Sequence, residues 1–160
     1  MEGGEAGKRF AADRMVGRLA RMLRLLGYDT IFLPALGPAE LAEIGAREER
    51  AILTRGEIRQ RFPRTAKVFR VESEYPPEQL REVVEEFSLD PKSGLWTRCT
   101  MCNGSITSVP KETVESEVKP RVFELYQEFY RCSACARVYW RGSHVERILK
   151  NLSYVLGPEL

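Results

Sequence analysis

With 160 residues the chain has room for one ordinary domain plus a minidomain, and it can bury a core without staples throughout. A net charge of +2 excludes attachment to nucleic acid by bulk charge alone. No stretch approaches the ~20 apolar residues of a membrane helix, which excludes a helical span. The charge is uneven, however: residues 1–70 hold 14 Lys and Arg against 9 Asp and Glu, while the remainder holds 11 against 14. Most of the early basic residues are Arg, whose planar fork matches phosphate oxygens, so the N-terminal half is expected to meet an anionic partner.

Residues 1–7, with three Gly and two Glu, read as a disordered leader. No apolar run follows them to make a secretory signal, so a cytoplasmic setting with reduced thiols is expected. Residues 8–12 read as a first strand. Asp13 then opens a helix to about Leu26, which Gly27 closes. On its wheel Met15, Leu19, Met22, Leu23 and Leu26 share one face, and Arg14, Arg18, Arg21 and Arg24 share the opposite arc. That arc is either a solvated face or a stripe for a phosphate backbone.

A second strand is expected at 28–33, a loop at 34–38, a helix at 39–50 and a short apolar strand at 51–54. A brief helix at 57–62 and a strand at 66–71 follow. Pro76 and Pro77 then open a helix whose buried stripe is Leu80, Val83, Val84 and Phe87. Strands alternating with helices at this spacing describe an α/β fold, a parallel sheet with crossover helices over about 8–90. After a linker at 91–94 the pattern changes to short β-prone segments with a Tyr- and Trp-rich end.

All four cysteines fall in that second part, as Cys99-x-x-Cys102 and Cys132-x-x-Cys135. Each pair offers two thiolates across one tight turn, the geometry of a tetrahedral Zn²⁺ site with no open coordination position. A redox Cys-x-x-Cys would stand alone after a strand, and paired disulfides suit a secreted chain. Residues 95–145 are therefore read as a C-terminal zinc ribbon with an insertion at 112–124, and a closing helix runs from 145 to about 156. One structural zinc per chain is expected, and a chelator is expected to melt the ribbon only.

Ligands of parallel α/β sheets sit beyond the carboxyl ends of the strands. Asp13 after the first strand, Asp29 at the start of the second and Thr54-Arg55-Gly56 after the third are the polar groups placed to meet one. Carboxylates gathered there would hold Mg²⁺ or Mn²⁺ for phosphodiester cleavage. Asp13 is equally an N-cap, Asp29 a turn residue, and the two kinds of role can coexist. His144, the only histidine, is a general acid or a surface imidazole. Tyr139 and Trp140 either stack on unpaired bases or pack the ribbon, and packing is favoured for Tyr130.

The run Asp13-Arg14-Met15-Val16-Gly17-Arg18-Leu19-Ala20-Arg21, continuing to Gly27-Tyr28-Asp29-Thr30, resembles the opening of the Mut-seven C-terminal RNase domain family. So do Ile52-Leu53-Thr54-Arg55, Gln79-Leu80-Arg81-Glu82-Val83, Arg98-Cys99-Thr100-Met101-Cys102-Asn103-Gly104, Phe129-Tyr130-Arg131-Cys132 and Arg137-Val138-Tyr139-Trp140-Arg141-Gly142-Ser143-His144. The resemblance implies a PIN-like nuclease domain with a zinc ribbon, acting on RNA through metal-bound acids. It carries over Asp13 as the first acid of the site; with Asp29 from the strand-end argument, and Glu40 and Glu57 as the nearest acids at two further family positions, these are the catalytic candidates. Arg14, Arg18, Arg21, Arg24, Arg55, Trp140, Arg141 and His144 are the nucleic-acid contacts, and a protein partner could dock on the ribbon. Two departures are visible. The family's acid at the second helix start is Pro38 here, with Glu40 nearest, and its acid after Leu-Thr-Arg is Gly56, with Glu57 next. A catalytically degenerate RNA-binding module is the alternative those departures leave open.

Overall fold

In the computed structural model, which describes residues 8–158, four parallel strands form one sheet and three antiparallel strands form another. The expected leader at 1–7 lies outside the described residues. The first sheet holds β1 (Arg9–Ala12), β2 (Thr30–Phe32), β3 (Arg50–Thr54) and β4 (Val68–Arg70), in the spatial order β2-β1-β3-β4. Among the described residues, no helix is long and apolar enough to cross a membrane.

Both faces of this sheet are covered, and its short strands read accordingly as near-continuous apolar runs. Successive side chains alternate between faces. Phe10, Ala12 and Leu53 therefore face one way, onto α1 (Gly17–Leu25) and α4 (Pro76–Glu86), while Ala11 and Ile52 face the other, onto α2 (Pro38–Glu48). The first cluster is the larger and contains Leu19, Leu23, Leu26, Leu80 and Val83. Phe10 and Phe87 meet edge to face at 5.1 Å.

The expected first helix divides in two. A 3₁₀ turn (Arg14–Val16) precedes α1, and Asp13 caps it by accepting the Met15 N–H at 2.7 Å. Met15 is consequently turned out, 49% exposed, rather than held in the core face. Pro38 is the first residue of α2, not the end of a loop, which is where a fixed φ and a missing N–H cost nothing. α3 is a single turn (Ile58–Arg61) leading into β4.

Gly27 closes α1 at φ +92°, and a Cβ there would lie 2.1 Å from the Gly94 carbonyl oxygen. The linker thus lies directly against the end of α1, with the Tyr28 hydroxyl donating to the Asp90 carbonyl at 2.8 Å. The ribbon follows as β5 (Ile106–Val109), β6 (Phe129–Cys132) and β7 (Val138–Tyr139), all antiparallel. Its insertion is itself ordered, with a 3₁₀ turn (Lys111–Val114) and α5 (Pro120–Leu125). The last helix, α6 (Ser143–Leu156), starts two residues before its expected position and returns to the first sheet's layer, where Leu152 is buried with the α4 side chains.

Candidate functional sites at the two ends of the sheet

β1 leads through α1 to β2 on one side, while α2 carries the chain back past β1 to β3 on the other. The crevice between the carboxyl ends of β1 and β3 is therefore the topological switch point of the sheet, the place where open α/β sheets bind ligands. Asp13 and Thr54 stand there.

Asp13 is 1% exposed, and its carboxylate is met by three donors. Its Oδ1 accepts the Met15 N–H, and its Oδ2 accepts the Thr54 hydroxyl at 2.7 Å and Arg61 Nη1 at 3.0 Å. The Thr54 hydroxyl in turn accepts from the Gly56 N–H at 2.9 Å and Arg61 Nη1 at 3.2 Å. Arg61 was not visible as a site residue in the sequence. The only signal for it was an arginine one turn into the helix that follows a glycine at the rim.

The other acidic candidates do not converge on Asp13. Glu40 lies at the same edge, at the start of α2, but its Oε2 accepts the Gly37 N–H at 2.7 Å as a reciprocal cap. Glu57, also at this edge, pairs with Arg70 at 3.1 Å. Asp29 is at the opposite edge. It immediately precedes Thr30, which pairs with Phe10, so it is four residues from Asp13 in register, about 13 Å along the strands. One carboxylate with its oxygens taken by two donors and a guanidinium does not fit Mg²⁺ or Mn²⁺, which need several oxygen ligands and open water positions.

The arginine candidates separate as sharply. Arg14, Arg18, Arg21 and Arg55 line one cleft of about 500 Å³, over a floor that includes Met15 and Phe32. The cleft adjoins Asp13 in the chain and opens at the same edge. Arg14, Arg18 and Arg21 are exposed and form no ion pair among the described residues, while Arg55 pairs with Glu74 at 3.0 Å. Arg24 is a correction. It is buried and points away from this cleft, donating to the Thr30 carbonyl at 2.8 Å and, across to the ribbon, to the Thr100 and Met101 carbonyls at 3.1 and 3.0 Å. A helix wheel assigns position 24 to the polar arc, but it cannot show that another segment packs over that arc.

At the amino edge Asp29 is structural. It accepts Arg50 Nη1 at 2.7 Å and Nη2 at 3.3 Å, and the Asn103 amide at 2.8 Å. Burial raises its pKa, but the bonds from Arg50 and Asn103 and the charge of Arg98 outweigh that, and the carboxyl is held below its ordinary value. A depressed folded pKa contributes stability that is complete above about pH 4 and is lost as pH falls through the folded value. Asp29→Asn is therefore expected to cost about 2 kcal/mol at pH 7, because Arg50 is left buried with Glu48 alone. Urea denaturation at pH 7 and pH 3 checks this: the gap from wild type should narrow at pH 3, and an unchanged gap would remove the ion pair as its cause.

The two Cys-x-x-Cys turns are built alike. Asn103 and Ala136, each the residue after the second cysteine, adopt left-handed φ of 70° and 59°. Their N–H groups return to the Cys99 and Cys132 carbonyls, both at 3.0 Å. All four thiols are free, and their sulfurs lie within 4.8 Å of one another, with Cys99 to Cys135 at 3.8 Å and Cys102 to Cys132 at 3.4 Å. A tetrahedron of Zn–S bonds near 2.3 Å spaces its sulfurs about 3.8 Å apart, so the four cysteines fit a zinc ion. Burial works against the Cys99 thiolate, yet bonds from the Tyr139 hydroxyl and from backbone N–H groups bring its pKa down to about 6. A ready thiolate favours metal over proton. Tyr139 is thus tied to Cys99 at 2.9 Å, and Trp140 is half-buried beside Phe129, at 6.4 Å. Arg141 and His144 are exposed at the start of α6, and neither lines the arginine cleft.

These features define an α/β domain of doubly wound type with an arginine-lined cleft at one edge of its sheet and a four-cysteine ribbon. The comparison by sequence makes this specific: the Mut7-C RNAse domain matches residues 8–152, nearly the whole described chain, and the protein belongs to that family. Membership implies a nuclease-type function. Neither the curated proteins nor the solved structures include a match.

Proposed function

We propose that this protein binds RNA along its phosphate backbone, in the cleft lined by Arg14, Arg18, Arg21 and Arg55, and that it does so without divalent-metal hydrolysis at Asp13. The observation that carries this reading is the gathering of four arginines, three of them without an ion pair among the described residues, beside the switch point of a nuclease-family fold. Backbone contacts of this kind carry little sequence information and depend strongly on salt. The four free thiols suit a reducing, cytoplasmic setting.

Fluorescence anisotropy with a labelled single-stranded RNA tests the proposal. Arg18→Glu with Arg21→Glu should weaken binding tenfold or more at about 100 mM salt. It should also flatten the dependence of log K on log salt by about 1 to 2, at roughly 0.7 per phosphate contact. Affinity unchanged by the double reversal would sink the cleft as the RNA site.

A second reading, an Mg²⁺- or Mn²⁺-dependent ribonuclease, is favoured by the position of Asp13, Glu40 and Glu57 along one edge. It requires Arg61 to leave Asp13. Cleavage of RNA by wild type but not by Asp13→Asn would establish it over the first. A protein dock on the ribbon has less support, since Tyr139 and Trp140 are engaged within it.

A further inference from the structure

We propose that Arg61 is the resident cation of the switch-point site, its guanidinium filling the place on Asp13 that a divalent metal ion would need. This assignment rests on the reading that no divalent metal works at Asp13, and it is tested without nucleic acid, so its failure would leave the arginine cleft untouched as an RNA site.

The argument begins with the donors. Asp13 sits at the base of the crevice, 1% exposed, and a buried carboxylate must be neutralised or fully hydrogen-bonded. Here it is both. The backbone N–H of Met15 serves one oxygen, and Thr54 with Arg61 serves the other. The Thr54 hydroxyl has its proton on Asp13 and accepts from Gly56 and Arg61, so both Asp13 oxygens are engaged, Oδ2 by two donors and Oδ1 by one.

Gly56 shows that this arrangement excludes the alternative. A Cβ at position 56 would lie 1.9 Å from Arg61 Nη1 and 2.9 Å from its Cζ. A carboxylate side chain at 56 and the guanidinium in its present position cannot coexist. The space left by Gly56 is the space the Arg61 guanidinium occupies, so a side chain at 56 would push Arg61 off Asp13.

Charge and size agree with this. Asp13 contributes one negative charge, and Arg61 balances it with one positive charge on an ion pair whose acid side chain is 2% exposed. A divalent ion bound about 2.1 Å from a carboxylate oxygen would overlap the guanidinium 3.0 Å away and leave a net positive charge in a buried place. Glu40 and Glu57 are committed to Gly37 and Arg70, so no other carboxylate of the rim compensates. Arg61 uses only Nη1 in these bonds, and its side chain is 27% exposed, so its outer face reaches the mouth of the crevice while its charge is balanced by Asp13.

The test is a Mn²⁺ titration of the full zinc-loaded chain, without RNA, followed by the electron paramagnetic resonance signal of free Mn²⁺. Wild type should take up no Mn²⁺ at this site. Arg61→Ala combined with Gly56→Asp, which removes the guanidinium and supplies a second carboxylate in the space it leaves, should take up one ion at least tenfold more tightly than wild type, and adding Asp13→Asn should abolish the uptake. Arg61→Lys in the Gly56→Asp background, which keeps a cation, should exclude Mn²⁺ again, and it keeps the test readable if the Asp13 variant fails to fold. Uptake by wild type matching that of the Arg61→Ala, Gly56→Asp variant, or no uptake by that variant, would overturn the assignment.

Discussion

Stripping the metal from the four cysteines is expected to unfold the ribbon and to weaken the parallel-sheet core along with it. Away from the knuckles, the fully buried apolar side chains of the ribbon are Phe129, with Phe123 and Trp140 against it, and Val114. Its buried cluster around the knuckles consists of Cys99, Ile106 and Cys132, with Trp96 and Tyr139 packed alongside. Strands of four, four and two residues are too short to stand on such a base. Metal binding in small cysteine sites provides an apparent 10–16 kcal/mol or so, which here is the folding energy of the ribbon.

The effect should not stop there, although the sequence alone leads to the expectation that only the ribbon is lost. The first knuckle is bonded to the α/β domain on three sides. Arg24 donates to the Thr100 and Met101 carbonyls, the Asn103 side chain bridges the Thr30 N–H and Asp29, and Arg98 donates to the Gly27 carbonyl. Releasing the knuckle leaves those groups partly buried without partners, at about 1 kcal/mol or more each. Chelation should thus lower the melting temperature of the α/β core by roughly 10 °C or more, at the 4–8 °C per kcal/mol typical of small domains. Circular dichroism at 222 nm during a thermal ramp reads this, with elemental analysis confirming one metal lost per chain. A core transition that does not move after chelation would show that the knuckle contacts carry no energy.

Arg24→Met should be the most damaging single change among the arginines, costing about 3 kcal/mol. Methionine keeps the length and the apolar stem, so what is lost is the guanidinium that spans the Thr30, Thr100 and Met101 carbonyls. Orphaning buried acceptors costs about 1–3 kcal/mol apiece, and water reaching the Thr100 and Met101 end reduces the sum. Arg21→Met, three residues earlier on an exposed face, should stay within about 0.5 kcal/mol of wild type. The pair should reverse order in RNA binding, with Arg21→Met weaker than wild type and Arg24→Met nearly unchanged once folded. Equal stability of the two variants in urea would contradict the bridging role of Arg24.

Much of the architecture is legible in the local pattern. The paired Cys-x-x-Cys spacing requires two turns of the same kind, and both turns close with the same backbone bond and the same left-handed residue. Asp13 before a helix is an N-cap by its chemistry, and it caps. Apolar runs of three to five residues separated by amphipathic helices indicate a parallel sheet buried on both faces. Arg18 and Arg21 share a face of α1 because 100° per residue places them there, and the 3₁₀ turn before it brings Arg14 to the same cleft.

What needed the tertiary structure was every decision about which polar group faces which. Arg24 belongs by spacing with the exposed arginines, but the first knuckle folds over the end of α1 and buries it. Asp29 resembles a second catalytic acid by composition, but strand register puts it at the amino edge, against Arg50. Arg61 carries almost no local signal beyond its place after a rim glycine, since its importance comes from pairing with a residue 48 positions earlier and from the space left at Gly56. Periodicity and spacing are short-range and travel with the chain, so the elements and the metal turns could be read from them. Charge pairing at the crevice depends on strand order and on the return of distant segments, and that is settled only when the layers close.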